Sequence, residues 1–239
     1  MRTRSVLLLA LVVAIAVAVA ACGTGAAGTP APPPTAAPAP GASSMAAFRE
    51  LLARDDLTYR SVEAGSFTVD GGPERPIRIQ SAVRGRDYHA TIAITRVGME
   101  FVTIGPLTWA RFGEDAWFEG PRDDEAMSQV LGVWEYLGDL NDLSFEGDAP
   151  KHPGDVLFKA TKPIPYRNGT AAGGGATADG MITSLYLVLD GATGAPVLIE
   201  FNAEAAIPTA SGFPDQAFRI KSTITFSDVD GPVDIAPPQ

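Results

Sequence analysis

Residues 197–207 read VLIEFNAEAAI, and residues 217–226 read AFRIKSTITF. In the first run Val197, Ile199, Phe201 and Ala203 alternate with Leu198, Glu200, Asn202 and Glu204. In the second, Phe218, Ile220, Ser222, Ile224 and Phe226 alternate with Arg219, Lys221, Thr223 and Thr225. A period of two marks a strand with one face in a core and the other in water. About ten residues of strand span roughly 33 Å, which is long for a globular protein. The pattern predicts a wide antiparallel sheet and raises the question of what covers its apolar face.

The same period runs upstream. SFTVDG (66–71) and RPIRIQSAV (75–83) alternate on either side of the turn residues Gly71, Gly72 and Pro73. In DYHATIAITR (87–96), Tyr88, Ala90, Ile92 and Ile94 oppose His89, Thr91 and Thr95, which puts His89 on a wet face. GMEFVTIG, LTWARFG and DAWFEG complete a meander of about six strands. LSFEGD, GDVLFKAT and MITSLYLVLD read as further strands. Residues 166–180 hold five glycines and are expected to form a mobile loop, either covering a pocket mouth or a plain insertion.

Two helices are expected. Met45, Phe48, Leu51 and Leu52 fall at helical spacing behind Ser43 and Ser44, which serve as a cap. A second helix opens at Pro121, with Asp123, Asp124 and Glu125 in its first turn. Its apolar stripe is Met127, Val130, Leu131, Trp134 and Leu137. Two short helices cannot cover about ten strands. Either the sheet curls on itself or part of its apolar face bounds a cavity.

The first forty residues differ in kind. Arg2 and Arg4 precede an unbroken apolar run at 6–21, closed by small residues. That is the layout of a secretory signal peptide, and the run is short for a membrane-spanning helix. Val19-Ala20-Ala21-Cys22 resembles the lipobox of bacterial lipoproteins, and Cys22 is the only cysteine. The resemblance implies a diacylglyceryl thioether on Cys22 and cleavage before it. An ordinary signal peptide and an uncleaved anchor are the alternatives. Residues 23–42 are rich in Pro, Ala and Gly and cannot bury enough apolar surface to fold. They are expected to form a semi-stiff tether reaching up to roughly 60 Å. The expected division is a lipoprotein signal peptide at 1–21, a tether at 22–42 and one folded domain at 43–239.

Composition excludes several classes. A net charge of −10 speaks against nucleic acid, which requires a basic face. One cysteine and two histidines, His89 and His152, rule out a Cys- or His-rich metal site. The chain carries neither a Gly-x-Ser-x-Gly nor a His-Glu-x-x-His motif. No enzyme and no cofactor are expected.

Taken together, lipobox, Pro/Ala tether, first helix, long meander, central helix and long-stranded end resemble the LppX/LprG group of actinobacterial lipoproteins. ITFSDVDGPVDIAPP (224–238) is similar to that group's closing strand and final turn. RFGEDAWFEGPRDDE (111–125) resembles its strand leading into the central helix. The resemblance implies an α+β fold shared with LolA, LolB and RseB: a curved antiparallel half-barrel sheet of about ten strands packed on a few helices, with an apolar cavity. It implies a protein on the extracytoplasmic side of the cell membrane, anchored through Cys22. Such a protein would bind an acylated lipid or glycolipid and help move it across the envelope; no motif specifies an envelope transporter partner. The expected lining is Ile77, Ile79, Ile92, Ile94, Phe101, Met127, Leu131, Trp134, Leu185, Leu187, Ile199, Phe201, Ile220 and Ile224. Each of these residues equally fits plain packing against the helices. A protein-interaction or envelope-sensing module on the same fold is the alternative function.

Overall fold

Alternating sequence becomes sheet along almost the whole described chain. The computed structural model describes residues 41–95, 97–122, 133–169, 177–207 and 216–239. One helix, α1 (Ala42–Leu52), precedes β1 (Thr58–Val69), β2 (Arg75–Arg84), β3 (Asp87–Ile94), β4 (Val97–Ile104), β5 (Leu107–Phe112) and β6 (Phe118–Pro121). Two short 3-10 turns, Val133–Leu137 and Leu140–Asp142, follow. Then come β7 (Leu143–Asp148), β8 (Asp155–Ala160), β9 (Ile164–Gly169), β10 (Thr177–Asp190), β11 (Pro196–Ile207) and β12 (Gln216–Ser227). The described residues form twelve strands, where about ten were expected.

All twelve strands belong to one antiparallel, curved and unclosed sheet, in the order β6-β5-β4-β3-β2-β1-β12-β11-β10-β8-β7. β9 pairs with the first half of β10, and β8 with its second half. A fourteen-residue strand therefore carries two shorter ones end to end along one side. The chain closes the sheet's middle by bringing its last strand against its first, Arg60 opposite Ser227 through Val69 opposite Phe218. The two limbs on either side of that seam are a simple meander (β1–β6) and the long-stranded end (β7–β12).

Helix α1 sits on the second limb. Met45 and Phe48 are buried, and Leu51 and Leu52 pack beside them. The expected serine cap is corrected: Gly41 occupies the N-cap with φ 74°, and no side chain caps the helix. The left-handed backbone at that position is open to glycine at no steric cost. Ser44 instead lies inside the first turn and donates from Oγ to the Gly191 carbonyl at 3.1 Å, tying the helix to the β10–β11 turn. The same turn needs Gly194: a Cβ there would stand 2.6 Å from the Ser44 carbonyl.

Pro121 does not open a helix. It is the last residue of β6, opposite Leu107. β6 is an edge strand of four residues, where a proline is tolerated because its missing N–H faces no neighbour. Of the expected second helix, residues 123–132 lie outside the described residues. Val133–Leu137 is a 3-10 turn with Val133 and Leu137 buried. The expected loop at 166–180 is also corrected. Residues 166–169 belong to β9 and 177–180 to β10, and only 170–176 lie outside the described residues.

Two clusters form the interior. The larger joins α1, the 3-10 turn at 133–137 and strands β1 and β7–β12, and includes Phe48, Leu137, Phe158, Leu185, Leu187, Ile199, Phe201 and Ile224. The smaller lies on the opposite face, where Val233 and Ile235 of the C-terminal segment pack on Ala82 and Val102 beside Ile104, Trp109 and Trp117. The tail is thus a strap across the back of the meander limb. No helix among the described residues is long and apolar enough to cross a membrane.

Candidate functional site: an apolar face with a polar centre

Residues directly opposite each other in an antiparallel pair share a face. Following the register across the sheet therefore traces rows of side chains. One row runs Phe145, Phe158, Leu187, Ile199, Ile224, Glu63, Ile79, Ile92, Met99 and Phe112, crossing ten strands. A second runs Leu185, Phe201, Ser222, Gly65, Ile77, Ile94 and Val97. A third runs Phe226, Ser61, Ser81, Ala90, Phe101, Ala110 and Phe118. At about 4.8 Å per strand, the first row is roughly 43 Å long.

Eleven of the fourteen lining candidates are strand residues on this one face or its next row, where Ala203, Ile220 and Phe67 pair. Their surroundings differ by limb. Leu185, Leu187, Ile199, Phe201 and Ile224 are exposed by no more than 1% and belong to the large cluster; Ile220 is buried there too. Trp134 is half-buried in an aromatic group. Its ring stacks on Phe226 at 5.0 Å and meets Tyr59 edge-on at 5.3 Å and Phe48 at 5.9 Å. On the meander limb Ile92 is buried, while Ile77, Ile79, Ile94 and Phe101 are half-buried. Beyond them Val97, Phe112 and Phe118 stand 56%, 48% and 65% exposed. Cys22, Met127 and Leu131 lie outside the described residues.

Each row turns polar at the seam between the limbs. Ser61 and Ser81 face each other with their hydroxyls 2.6 Å apart. Ser222 donates from Oγ to Glu63 Oε1 at 2.6 Å. Gly65, opposite Ser222, makes that approach possible, because a Cβ there would lie 2.4 Å from the Lys221 carbonyl and 2.9 Å from Ser222 Oγ. Burial among apolar neighbours pushes the Glu63 carboxyl above its ordinary range, and the Ser222 hydroxyl only partly offsets this. Glu63 lines a cavity of about 20 Å³ together with Ser61, Ser81, Ile79, Ile224, Val133 and Tyr136. That is room for one water-sized group.

The sequence reading missed Glu63. The signal was present: a glutamate in a stretch that becomes a central strand, flanked at the same parity by Ser61 and Gly65.

The other face is wet or strapped. His89 stands there, as expected, with Nε2 2.7 Å from Glu100 Oε1. Arg111 holds the other Glu100 oxygen through Nε at 2.7 Å and lies 4.7 Å over the Trp117 ring. These partners together hold the Glu100 carboxyl below its ordinary range against its desolvation. A cleft of about 340 Å³ at the far end of β1, β11 and β12 is bordered by Ser66, Glu74, Asn202, Glu204, Arg219 and Lys221, mostly from the same wet face. No three His, Cys, Asp or Glu side chains among the described residues come together as a metal site requires.

The geometry defines a class: an unclosed antiparallel half-barrel whose apolar face is packed on one limb and half-covered on the other. No protein-family model matches the sequence, and none of the curated proteins matches it. Among solved structures the chain is similar to the Mycobacterium tuberculosis lipoprotein LppX, at 12% identity and a TM-score of 0.36, over 81% of this chain and 98% of that one. It is similar to a LolA-superfamily protein of Nitrosomonas europaea, at 11% identity and a TM-score of 0.27, over 82% and 94%. A Vibrio parahaemolyticus domain assigned to outer-membrane lipoprotein sorting matches at 12% identity and a TM-score of 0.27, over 82% and 94%. Of these, LppX gives its name to the group that the sequence resembles; the architecture itself stands on the strand register described above.

Proposed function

We propose that this protein is a membrane-anchored extracytoplasmic lipoprotein that binds an acylated lipid or glycolipid and helps transfer it across the cell envelope. The observation that carries the reading is the half-covered apolar face of the meander limb, where Ile77, Ile79, Ile94 and Phe101 lead out to Val97, Phe112 and Phe118. Each acyl CH₂ left in water costs about 0.8 kcal/mol, so a chain of about sixteen carbons costs on the order of 12 kcal/mol unshielded. A lipid that leaves a bilayer needs such a surface. From Phe112 to Glu63 the first row covers four strand spacings, roughly 19 Å. One hydrocarbon leaflet is about 15 Å. Cys22 would carry the anchoring acyl groups, and the residues from 23 up to the cap of α1 at Gly41 would hold the sheet away from the membrane.

Native mass spectrometry of the full chain carrying Cys22→Ala tests the reading. Co-purified lipid of defined mass is expected; repeated recovery of bare protein from a lipid-rich envelope counts decisively against it. The same substitution is expected to move the protein from the membrane pellet to the soluble fraction, and retention in the pellet defeats the anchor.

A second reading is favoured by one observation. The cavity beside Glu63 is only about 20 Å³, and the second limb is filled. A protein partner docking on Val97, Phe112 and Phe118 would use the same exposed surface. Bare protein in the mass spectrum, with the sheet intact, is its expected result.

A further inference from the structure

Glu63 is the one acidic side chain in the three rows that cross the apolar face. Nothing in packing calls for it there, since its row neighbours are Ile224 and Ile79. Buried polar groups persist where they are hydrogen-bonded or used. Oε1 is used by Ser222. Among the described residues Oε2 has no hydrogen-bond partner, and the carboxyl lines a cavity with room for one small polar group.

We propose that Glu63, oriented by Ser222 beside the Ser61–Ser81 hydroxyl pair, is a hydrogen-bonding subsite for the neutral polar linkage of an acyl-ester or hydroxyl-bearing lipid. The inference rests on the lipid-binding reading above and names the part of the ligand that reading leaves open. An acyl chain laid along Ile79, Ile92, Met99 and Phe112 runs about one leaflet's length and ends at this carboxyl. No Lys, Arg or His lines the cavity among the described residues. A phosphate or a fatty carboxylate would therefore meet no counter-charge and would face an acid, which selects for a neutral linkage. Burial favours the protonated carboxyl. In that form Oε2–H donates to an ester carbonyl or hydroxyl oxygen, while Oε1 goes on accepting from Ser222.

The titratable group facing Glu63 from the overlying turn is Tyr136. On its own strand and face the nearest is Tyr59, whose phenol burial has pushed up to about 12. The Tyr59 phenol is not ionised near neutrality, and the pH response of the subsite is assigned to the carboxyl.

The test uses the full chain carrying Cys22→Ala and three probes: dipalmitoylglycerol, palmitate and hexadecane. Affinities are measured by native mass spectrometry and by displacement of a fluorescent apolar dye. Wild-type side chains at the subsite are expected to favour dipalmitoylglycerol over palmitate. Glu63→Leu is expected to weaken dipalmitoylglycerol about tenfold, the loss of one good hydrogen bond, and to leave hexadecane unchanged. Glu63→Gln keeps a donor and is expected to hold dipalmitoylglycerol within about threefold. If the leucine variant fails to fold, the pH profile decides. Dipalmitoylglycerol binding should fall as pH rises through ionisation of Glu63, and the profile of Glu63→Gln should be flat. Equal loss of all three probes in Glu63→Leu, no loss of dipalmitoylglycerol, or parallel pH profiles each overturn the subsite while leaving the carrier reading standing. Failure of the parent chain to bind any of the three probes overturns both.

Discussion

Glu63 decides more at the scale of single residues than any other side chain. Its carboxyl lies above the ordinary glutamate range in the folded protein because burial disfavours the charged form. The sign of the consequence follows from linkage. A carboxyl whose native pKa is raised binds its proton more tightly when folded than when unfolded. Its contribution to stability is full below the unfolded pKa and is lost as pH rises through the native one. The urea midpoint of the wild-type chain should therefore fall relative to Glu63→Gln as pH rises from about 4 toward about 8. Midpoints that stay parallel over that range would show that burial does not perturb the group. Glu100 is the opposite case on the other face. His89 and Arg111 hold it low, so its contribution is present above the unfolded pKa and is lost on acidification.

The elements show which parts of the fold the sequence exposes. β11 and β12 are legible because every second residue of each faces a packed core, so apolar and polar types separate cleanly. The first half of β1 is not legible. Its buried-face residues Ser61, Glu63 and Gly65 are polar or bare, which erases the alternation at the positions forming the seam. The element hidden from pattern reading is the one that carries the candidate site, as is expected where a local rule is set aside for a binding role. Pro121 misled for a different reason. A proline opens helices and also ends edge strands, and only the pairing with Leu107 distinguishes the two. In β9 and the start of β10, glycine content suggests a loop, but pairing with a long neighbour supplies the backbone bonds that local propensity does not. Past the turn after β12, closed by the Gly231 N–H on the Asp228 carbonyl, the C-terminal segment is a strap that no local pattern announces. Deleting residues 232–239 uncovers Ala82 and Val102 and removes the buried Val233 and Ile235. At about 1.5–3 kcal/mol for each buried aliphatic side chain, a loss of roughly 3–6 kcal/mol is expected. Equilibrium urea unfolding followed by tryptophan fluorescence, to which Trp109 and Trp117 beneath the strap contribute along with Trp134, checks it; an unchanged midpoint would mean the strap is only apposed.

For the whole molecule, the two limbs divide the work of one sheet. The limb built from β7–β12 is covered by α1 and the turn at 133–137, and this covered limb holds the fold. The meander limb shares its apolar face but keeps Val97, Phe112 and Phe118 in water. Large apolar side chains grouped at one end of a continuous face mark a binding surface more readily than a structural one. Their exposure makes the idea testable without disturbing the core. Phe112→Asp and Phe118→Asp replace side chains 48% and 65% exposed, so each should cost about 1 kcal/mol of stability, well short of unfolding the sheet. A charge at either position puts a hydrated carboxylate where an acyl chain would lie, across two adjacent strands at the outer end of the rows. The double variant should unfold cooperatively at a modestly lower urea midpoint and lose most of its dipalmitoylglycerol and hexadecane binding together, because it acts on the chain and not on the polar linkage. Glu63→Leu should separate those two probes, so the pair of variants resolves the two ends of the proposed ligand. Undiminished binding of both probes by the double variant would remove the meander limb from the binding surface and leave the exposed phenylalanines to a protein partner.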